Sequence, residues 1–203
     1  MVVVVVRIVT TVLVLLGIAL PATAQPASPG PLQAPGVHAA TGLKFPARID
    51  GHARLVRSVD RGKSEDRPDL GYIWTYVVEP PVDGTVSVYV YNAGDMSIPE
   101  GAASPQVFTQ FHAALAEIGQ QFPNIDALKI VKGPTDCTIA RVVFRCATVL
   151  AITPTTKVPV YATVLVTAYR NYFFTIWLQW SGTRTTPAAA EDYLAMLVGE
   201  MTR

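Results

Sequence analysis

Two periodic patterns of hydrophobic residues run along this chain, a period of two that predicts strands and a period near 3.6 that predicts helices. Valines occupy every second position between residues 85 and 91, as expected for a strand with one buried face. The segment 72–78 is β-branched and aromatic throughout, and the intervening residues 79–84 include Asp83-Gly84, which favours a turn. These two segments therefore predict a β-hairpin.

Two other segments carry apolar residues at helical spacing. Ser104-Pro105 combines a capping hydroxyl with a proline at the first helical position, and Pro123 ends the apolar run that follows. We predict a helix over about 105–121. Thr186-Pro187 repeats this start, and the apolar spacing after it predicts a closing helix that continues to the C-terminus.

The remaining apolar segments predict further strands. They cover residues 52–60, 128–131, 142–152, 158–169 and 172–180. The last two together are apolar enough to suggest a membrane span, but Pro159 and Arg170-Asn171 divide them into pieces of about 10 residues. Since a spanning helix needs about 20, we expect a hairpin that turns at Arg170-Asn171. The charged segment 61–69 is predicted to be a solvated loop.

Strands joined by hairpins and separated by two helices indicate an α+β fold, with a mostly antiparallel sheet of hairpin and meander packed by two helices. An outer-membrane barrel is the competing all-β interpretation; it fails on the helices and on too few strands to close a cylinder. The predicted single domain covers residues 41–203. Residues 25–40, which are rich in proline, are expected to form a flexible linker.

The first 24 residues predict a secretory signal peptide. Arg7 precedes an apolar run that reaches Leu20, and Ala22-Thr23-Ala24 is a small-x-small cleavage site. We expect cleavage after Ala24, a secreted or periplasmic location and no membrane span in the mature chain. An uncleaved N-terminal membrane anchor is the alternative.

The charge balance excludes one class of partner. The chain has 203 residues with 16 basic and 15 acidic side chains, a formal net charge of +1, and half of its residues are hydrophobic. A nucleic-acid-binding domain would be more basic, and a disordered chain would be more charged and less apolar. We therefore expect a folded domain that does not bind nucleic acid.

The order of these elements resembles that of the PsbP-like fold, which includes periplasmic DcrB-like proteins. The similarity extends over about residues 43–203 and includes the opening Leu43-Lys44-Phe45-Pro46 and the helix starts at Ser104-Pro105 and Thr186-Pro187. The similarity is one of topology, and it includes no functional motif. The resemblance implies a small secreted binding or assembly module more often than an enzyme.

The two cysteines, Cys137 and Cys146, predict a disulfide, because an even number of cysteines in an exported chain usually pairs. Two buried free thiols are the alternative. A catalytic cysteine needs a nearby base, and no histidine lies within twenty residues of either one. A structural zinc site would need four ligands.

Other reactive residues are sparse, and we predict no catalytic residue, no metal and no cofactor. The sequence contains no Gly-rich phosphate loop, no calcium loop and no Gly-x-Ser-x-Gly elbow. His52 lies near Asp50 and Ser58 in the chain, so a hydrolase that uses His52 with a nearby carboxylate is kept as an alternative.

Aromatic residues of the first hairpin are the remaining candidates for a binding face. Tyr72, Trp74 and Tyr76 form one stripe, and Tyr89 and Tyr91 form another on the neighbouring strand. Such residues often only stabilise a sheet, but a partly uncovered face would bind a partner or an apolar ligand. The leading hypothesis is a non-enzymatic domain that binds a protein or cell-envelope component. A purely structural envelope protein is a third hypothesis, favoured if the stripes are wholly buried.

Overall fold

The computed structural model describes residues 35–121, 128–152 and 157–203. The predicted signal peptide and most of the predicted linker therefore lie outside the described residues. The strands are β1 (Gly36–Val37), β2 (Lys44–Phe45), β3 (Arg48–Ile49), β4 (Ala53–Asp60), β5 (Tyr72–Val78), β6 (Gly84–Tyr91), β7 (Leu128–Ile139), β8 (Val142–Ile152), β9 (Pro159–Tyr169) and β10 (Tyr172–Ser181). The helices are α1 (Arg61–Ser64), α2 (Pro105–Gln121) and α3 (Pro187–Thr202), and a 3-10 turn covers Pro68–Leu70.

Eight of these strands form one antiparallel sheet in the order β3-β4-β5-β6-β10-β9-β8-β7. Consecutive strands pair within β3–β6 and within β7–β10, and the two groups meet where β6 pairs with β10. β1 and β2 form a separate two-stranded sheet. The predicted α+β fold with a mostly antiparallel sheet is confirmed. None of the helices within the described ranges is long and apolar enough to cross a membrane.

Both long helices begin where the sequence predicts. The Val107 N–H donates to Ser104 Oγ at 3.2 Å, and the Ala189 N–H donates to Thr186 Oγ1 at 3.2 Å. In each case a side-chain oxygen satisfies an amide that has no partner within its helix.

The predicted hairpin between the last two strands is also confirmed. Arg170 and Asn171 connect β9 to β10, and both adopt positive φ values, 48° and 64°. Two left-handed residues are typical of the two-residue turn whose twist matches a β-hairpin. Asn171 also anchors a loop, because its Oδ1 accepts a hydrogen bond from the Ile98 N–H at 2.7 Å.

The strand register assigns the side chains of the sheet to two faces. Residues that pair across strands share a face, and successive residues along a strand alternate. The valines of β6 therefore lie on the same face as their β5 partners Tyr72, Trp74 and Tyr76. Helix α3 and residues 43–49 pack on this surface, which we call the α3 face. Helix α2 packs on the opposite surface, the α2 face.

β7 is longer than the sequence predicts. The Gly133-Pro134 pair was expected to end the strand near residue 131, but the strand continues to Ile139 with two register shifts on either side of Lys132. β7 lies at the edge of the sheet, where a proline without an N–H group is tolerated. Bulges, proline and lysine also protect an exposed edge from pairing with another chain.

The segment predicted as a solvated loop, 61–69, contains ordered structure. Asp60 caps α1 by accepting a hydrogen bond from the Lys63 N–H at 2.9 Å. The ion pairs Arg61–Glu65 and Arg67–Asp69 lie on the surface, and exposed pairs of this kind contribute little to stability. The segment is charged and exposed, as expected, but it is locally structured by its own side chains.

The folded region begins before residue 41. His38, in the predicted linker, is only 7% exposed, and its Nδ1 lies 2.9 Å from Thr41 Oγ1. Its ring contacts those of Tyr72, Trp74 and Tyr172 edge-on, with centroid distances of 5.5, 6.2 and 5.0 Å. Residues 36–40 are therefore part of the domain, and the N-terminal boundary moves accordingly.

The buried position of His38 predicts an acid-sensitive stability. Burial lowers the pKa of His38 in the folded state below its ordinary value of 6.5. The unfolded chain then binds a proton more readily, so this contribution to stability is complete above about pH 6.5 and is lost as the pH falls. Thermal unfolding from pH 7 to pH 5 should show a smaller decrease in Tm for His38→Asn than for the wild type. An equal decrease in both proteins would contradict this account.

Candidate functional site

The two predicted aromatic stripes lie on opposite faces of the sheet. Because Tyr89 pairs with Ile73 on β5, it lies on the α2 face, whereas Trp74 lies on the α3 face. The N-terminal segment covers the first stripe: Phe45 stacks on Trp74 with 3.5 Å between ring centroids, and the Tyr76 hydroxyl donates to Pro46 O at 3.1 Å. The structure thus does not join the stripes into one surface. It buries Trp74 and Tyr76 in the core and leaves Tyr72 37% exposed.

Tyr89 and Tyr91 are half-buried beside α2. With Trp177 and Glu117 they line a cleft of about 180 Å³. The Tyr91 hydroxyl donates to Gln110 Oε1 at 3.1 Å, and burial raises the pKa of both tyrosines. They are therefore neutral at physiological pH. The cleft is smaller than the 300–1,000 Å³ typical of small-molecule sites.

His52 lies in a shallow cleft of about 210 Å³ with Glu79 and Asp192. No serine, threonine or cysteine is among the residues that line this cleft, and Asp50 does not line it either. The serine, threonine or cysteine nucleophile of a triad-type hydrolase is therefore not among the residues that line the cleft at His52. In the part of the chain that the structure describes, no group of three or more His, Cys, Asp or Glu side chains is placed to hold a metal ion.

The predicted disulfide is present between Cys137 on β7 and Cys146 on β8, with their Cα atoms 6.0 Å apart. It connects the edge strand to the body of the sheet on the α3 face. Cys146 is 8% exposed, and both residues contribute to the wall of a larger cavity.

This β7–α3 cavity is enclosed by strands β7 to β10 on one side and by the first turns of α3 on the other. Its volume is about 540 Å³. The apolar part of its wall includes Val131, Ile139, Leu165, Trp180, Ala190 and Leu194. Tyr161, also in the wall, stacks on Trp180 with 5.3 Å between centroids and 13° between ring planes.

An ion pair connects the two sides of the cavity. Lys132 Nζ on β7 lies 2.6 Å from Glu191 Oε1 on α3, and both side chains are more than half exposed. Each of these two charges has an opposite charge beside it. Exposed pairs contribute at most about 1 kcal/mol, so this contact is readily broken by anything that enters between β7 and α3.

A pair of threonine hydroxyls lies in the wall of the same cavity. Thr148 on β8 and Thr163 on β9 are direct cross-strand partners on the α3 face, and their Oγ1 atoms are 2.8 Å apart. Together with the ion pair, they give a mostly apolar cavity a small number of polar groups. This combination is typical of small-molecule binding sites.

The cavity was missed by the sequence analysis because its residues come from four strands and a helix. The extension of β7 beyond residue 131 was not expected, and this part of the strand contributes the cavity's outer wall, including Lys132 and Cys137. The predicted Cys137–Cys146 disulfide was the one available signal, since it requires the chain around Cys137 to lie close to Cys146 on β8.

The disulfide should stabilise the domain measurably. Replacing both Cys137 and Cys146 by serine should lower the free energy of unfolding by about 2–3 kcal/mol, the effect expected from closing a loop of this size. Urea denaturation of the oxidised wild type and the double variant measures this difference. Mass spectrometry of the wild type should detect no free sulfhydryl; two alkylatable cysteines would contradict the prediction.

No family model, curated protein or solved structure matches this chain. The function must therefore be inferred from the residues and their geometry.

Proposed function

We propose that this protein is a non-enzymatic binding domain that holds a small apolar molecule in the β7–α3 cavity. The observation that carries the proposal is the cavity itself. Its volume of about 540 Å³ lies within the range of small-molecule sites, and its wall is mainly apolar with few polar groups.

The chemistry of the wall supports binding more than catalysis. The charged side chains that line the cavity are Lys132 and Glu191, which are exposed and paired with each other. Both side chains are more than half exposed, whereas catalytic acids and bases usually lie inside a cleft that excludes water. The Cys137–Cys146 disulfide supports an oxidising compartment, so we propose a secreted or periplasmic location. The predicted resemblance to PsbP-like domains also implies an exported binding module. That resemblance remains a prediction.

Titration with a neutral apolar dye, N-phenyl-1-naphthylamine, tests the proposal on the folded, oxidised protein. We expect a saturable increase in fluorescence with one site per chain, reversed by a long-chain alcohol that competes for the same space. Heat-unfolded protein is the control and should show no saturable signal. The absence of saturable binding to the folded protein would refute the proposed function.

A second candidate function is binding of a protein or cell-envelope component on the α2 face. Tyr89 and Tyr91, two of the five aromatic residues predicted to bind a partner, lie on this face. Its support is that the Tyr89 cleft adjoins a smaller one of about 80 Å³, and that both are lined by Tyr89 and Trp177. Ser87 and Gln179 add polar groups there.

Substitution of Tyr89 tests this second candidate. Tyr89→Ser should reduce capture of components from a native envelope extract about tenfold, because Tyr and Trp side chains tend to dominate binding at such surfaces. Tyr72→Ser, on the opposite face, is the matched control and should capture as the wild type does. Equal capture by all three proteins would exclude this face.

A further inference from the structure

The hydroxyls of Thr148 and Thr163 form a polar position in the mainly apolar wall of the β7–α3 cavity. They lie on neighbouring strands in the α3 face of the sheet, beside Leu165. Thr163 is 7% exposed, and the two Oγ1 atoms are 2.8 Å apart. Valine has nearly the same shape as threonine and would suit a purely apolar wall, so the hydroxyls need an explanation.

The two hydroxyls have more hydrogen-bonding capacity than their contact with each other uses. Each threonine hydroxyl has one donor hydrogen and can accept two hydrogen bonds. Within the described residues, the side-chain hydrogen bond of each of these hydroxyls is made to the other. One hydrogen is used in that contact, and the second is left for an acceptor. The pair is partly buried, so an acceptor oxygen of a ligand that covers it would satisfy this second hydrogen where water is excluded.

The charges around the cavity determine what kind of oxygen fits. Lys132 and Glu191 neutralise each other at the surface, and the threonine pair has no charged side chain as its hydrogen-bond partner. Lys132 is the cross-strand partner of Thr148, but its charge is already balanced by Glu191, so a carboxylate beside Thr163 would have to compete with Glu191 for this cation. A carbonyl or hydroxyl oxygen satisfies the free hydrogen without that competition.

We propose that the ligand of the β7–α3 cavity is an uncharged, mainly apolar molecule with a carbonyl or hydroxyl oxygen, and that this oxygen accepts a hydrogen bond from the Thr148–Thr163 pair. This inference rests on the proposed function, because it names the ligand class and the specificity residues of the same cavity. Ketones, esters and alcohols with a hydrocarbon chain belong to this class.

Displacement of N-phenyl-1-naphthylamine by decan-2-one, decane and decanoate tests the inference on the full oxidised domain. In the double variant Thr148→Val/Thr163→Val, the affinity for decan-2-one should fall about fivefold, as expected for one lost hydrogen bond between neutral groups. The affinity for decane should stay the same or increase. Thr138→Val removes a hydroxyl that alternates with Cys137 along β7 and so lies on the opposite, α2 face; it is the matched control and should leave both affinities unchanged.

The outcomes separate this inference from the proposed function. If dye and decane bind but decan-2-one is unaffected by the double substitution, the threonine pair is not the recognition element. If decanoate binds the wild type more tightly than decan-2-one and loses affinity in Lys132→Met, the ligand is an anion and the inference is overturned. If no probe binds the wild type, both proposals fail.

A measurement on the wild type avoids any dependence on how the double variant folds. The infrared carbonyl band of bound decan-2-one should lie at lower frequency than in alkane solution, because a hydrogen bond weakens the C=O bond. A band at the alkane frequency would show that no hydrogen bond forms and would overturn the inference.

Discussion

Phenylalanine at position 190 should abolish binding in the β7–α3 cavity. Ala190 lies on the inner side of α3, is 1% exposed and lines the cavity, so a larger side chain there extends into the space that the ligand needs. We expect the dissociation constant of the neutral dye to rise at least about 30-fold for Ala190→Phe, which corresponds to about 2 kcal/mol. Fluorescence titration of the folded variant measures the change.

The matched control for this substitution is on the same helix. Ala195→Phe places the same ring on the exposed side of α3 and should leave the dye affinity unchanged. Filling a cavity often stabilises a domain, whereas overfilling costs about 1–3 kcal/mol, so the Tm of Ala190→Phe also shows how well the ring fits. Dye binding by folded Ala190→Phe with wild-type affinity would place the site elsewhere.

Truncation of Phe45 should have the largest effect on stability. Phe45 is fully buried and stacks on Trp74 with 3.5 Å between ring centroids and 6° between ring planes. Phe45→Ala removes a buried ring from the core under the N-terminal segment and should lower the free energy of unfolding by about 3–5 kcal/mol. Urea denaturation monitored by tryptophan fluorescence measures the loss.

A neighbouring strand provides the control for Phe45→Ala. Val37 lies on β1, next to β2, and is 63% exposed, so Val37→Ala should change stability by less than about 0.5 kcal/mol. If Phe45→Ala costs less than about 1 kcal/mol, the segment 43–49 contributes little to the core, contrary to this account.

Local signals made much of this fold predictable. The alternating valines of β6 and the cap-and-proline pairs before α2 and α3 act over a few residues, and the structure confirms these elements close to their expected bounds. The turn before β6 was expected at Asp83-Gly84, but it covers residues 80–82, and Gly84 is already paired as the first residue of β6. These signals specify an element whatever packs against it. The disulfide was predictable for a similar reason, since it involves the two available cysteines.

Features that depend on distant residues were not predictable in the same way. Nothing near Trp74 in sequence indicates that Phe45 covers it, and the proline-rich context of His38 favoured a linker. The continuation of β7 through Gly133-Pro134 depends on its position at the sheet edge, which follows from strand order and not from composition. The β7–α3 cavity depends on this continuation and on the packing of α3 against it, whereas the sequence analysis placed its candidate binding face on the aromatic stripes of β5 and β6.

The pairing of β6 with β10 also has a kinetic consequence. Each group of strands, β3–β6 and β7–β10, is built from contacts between neighbours along the chain, whereas this one ladder joins Tyr91 to Phe173 and Gly84 to Trp180. Closing so long a loop costs more entropy than closing a hairpin. We therefore expect the two groups of strands to form before the β6–β10 ladder, and substitutions in that ladder to change the folding rate more than substitutions within either group.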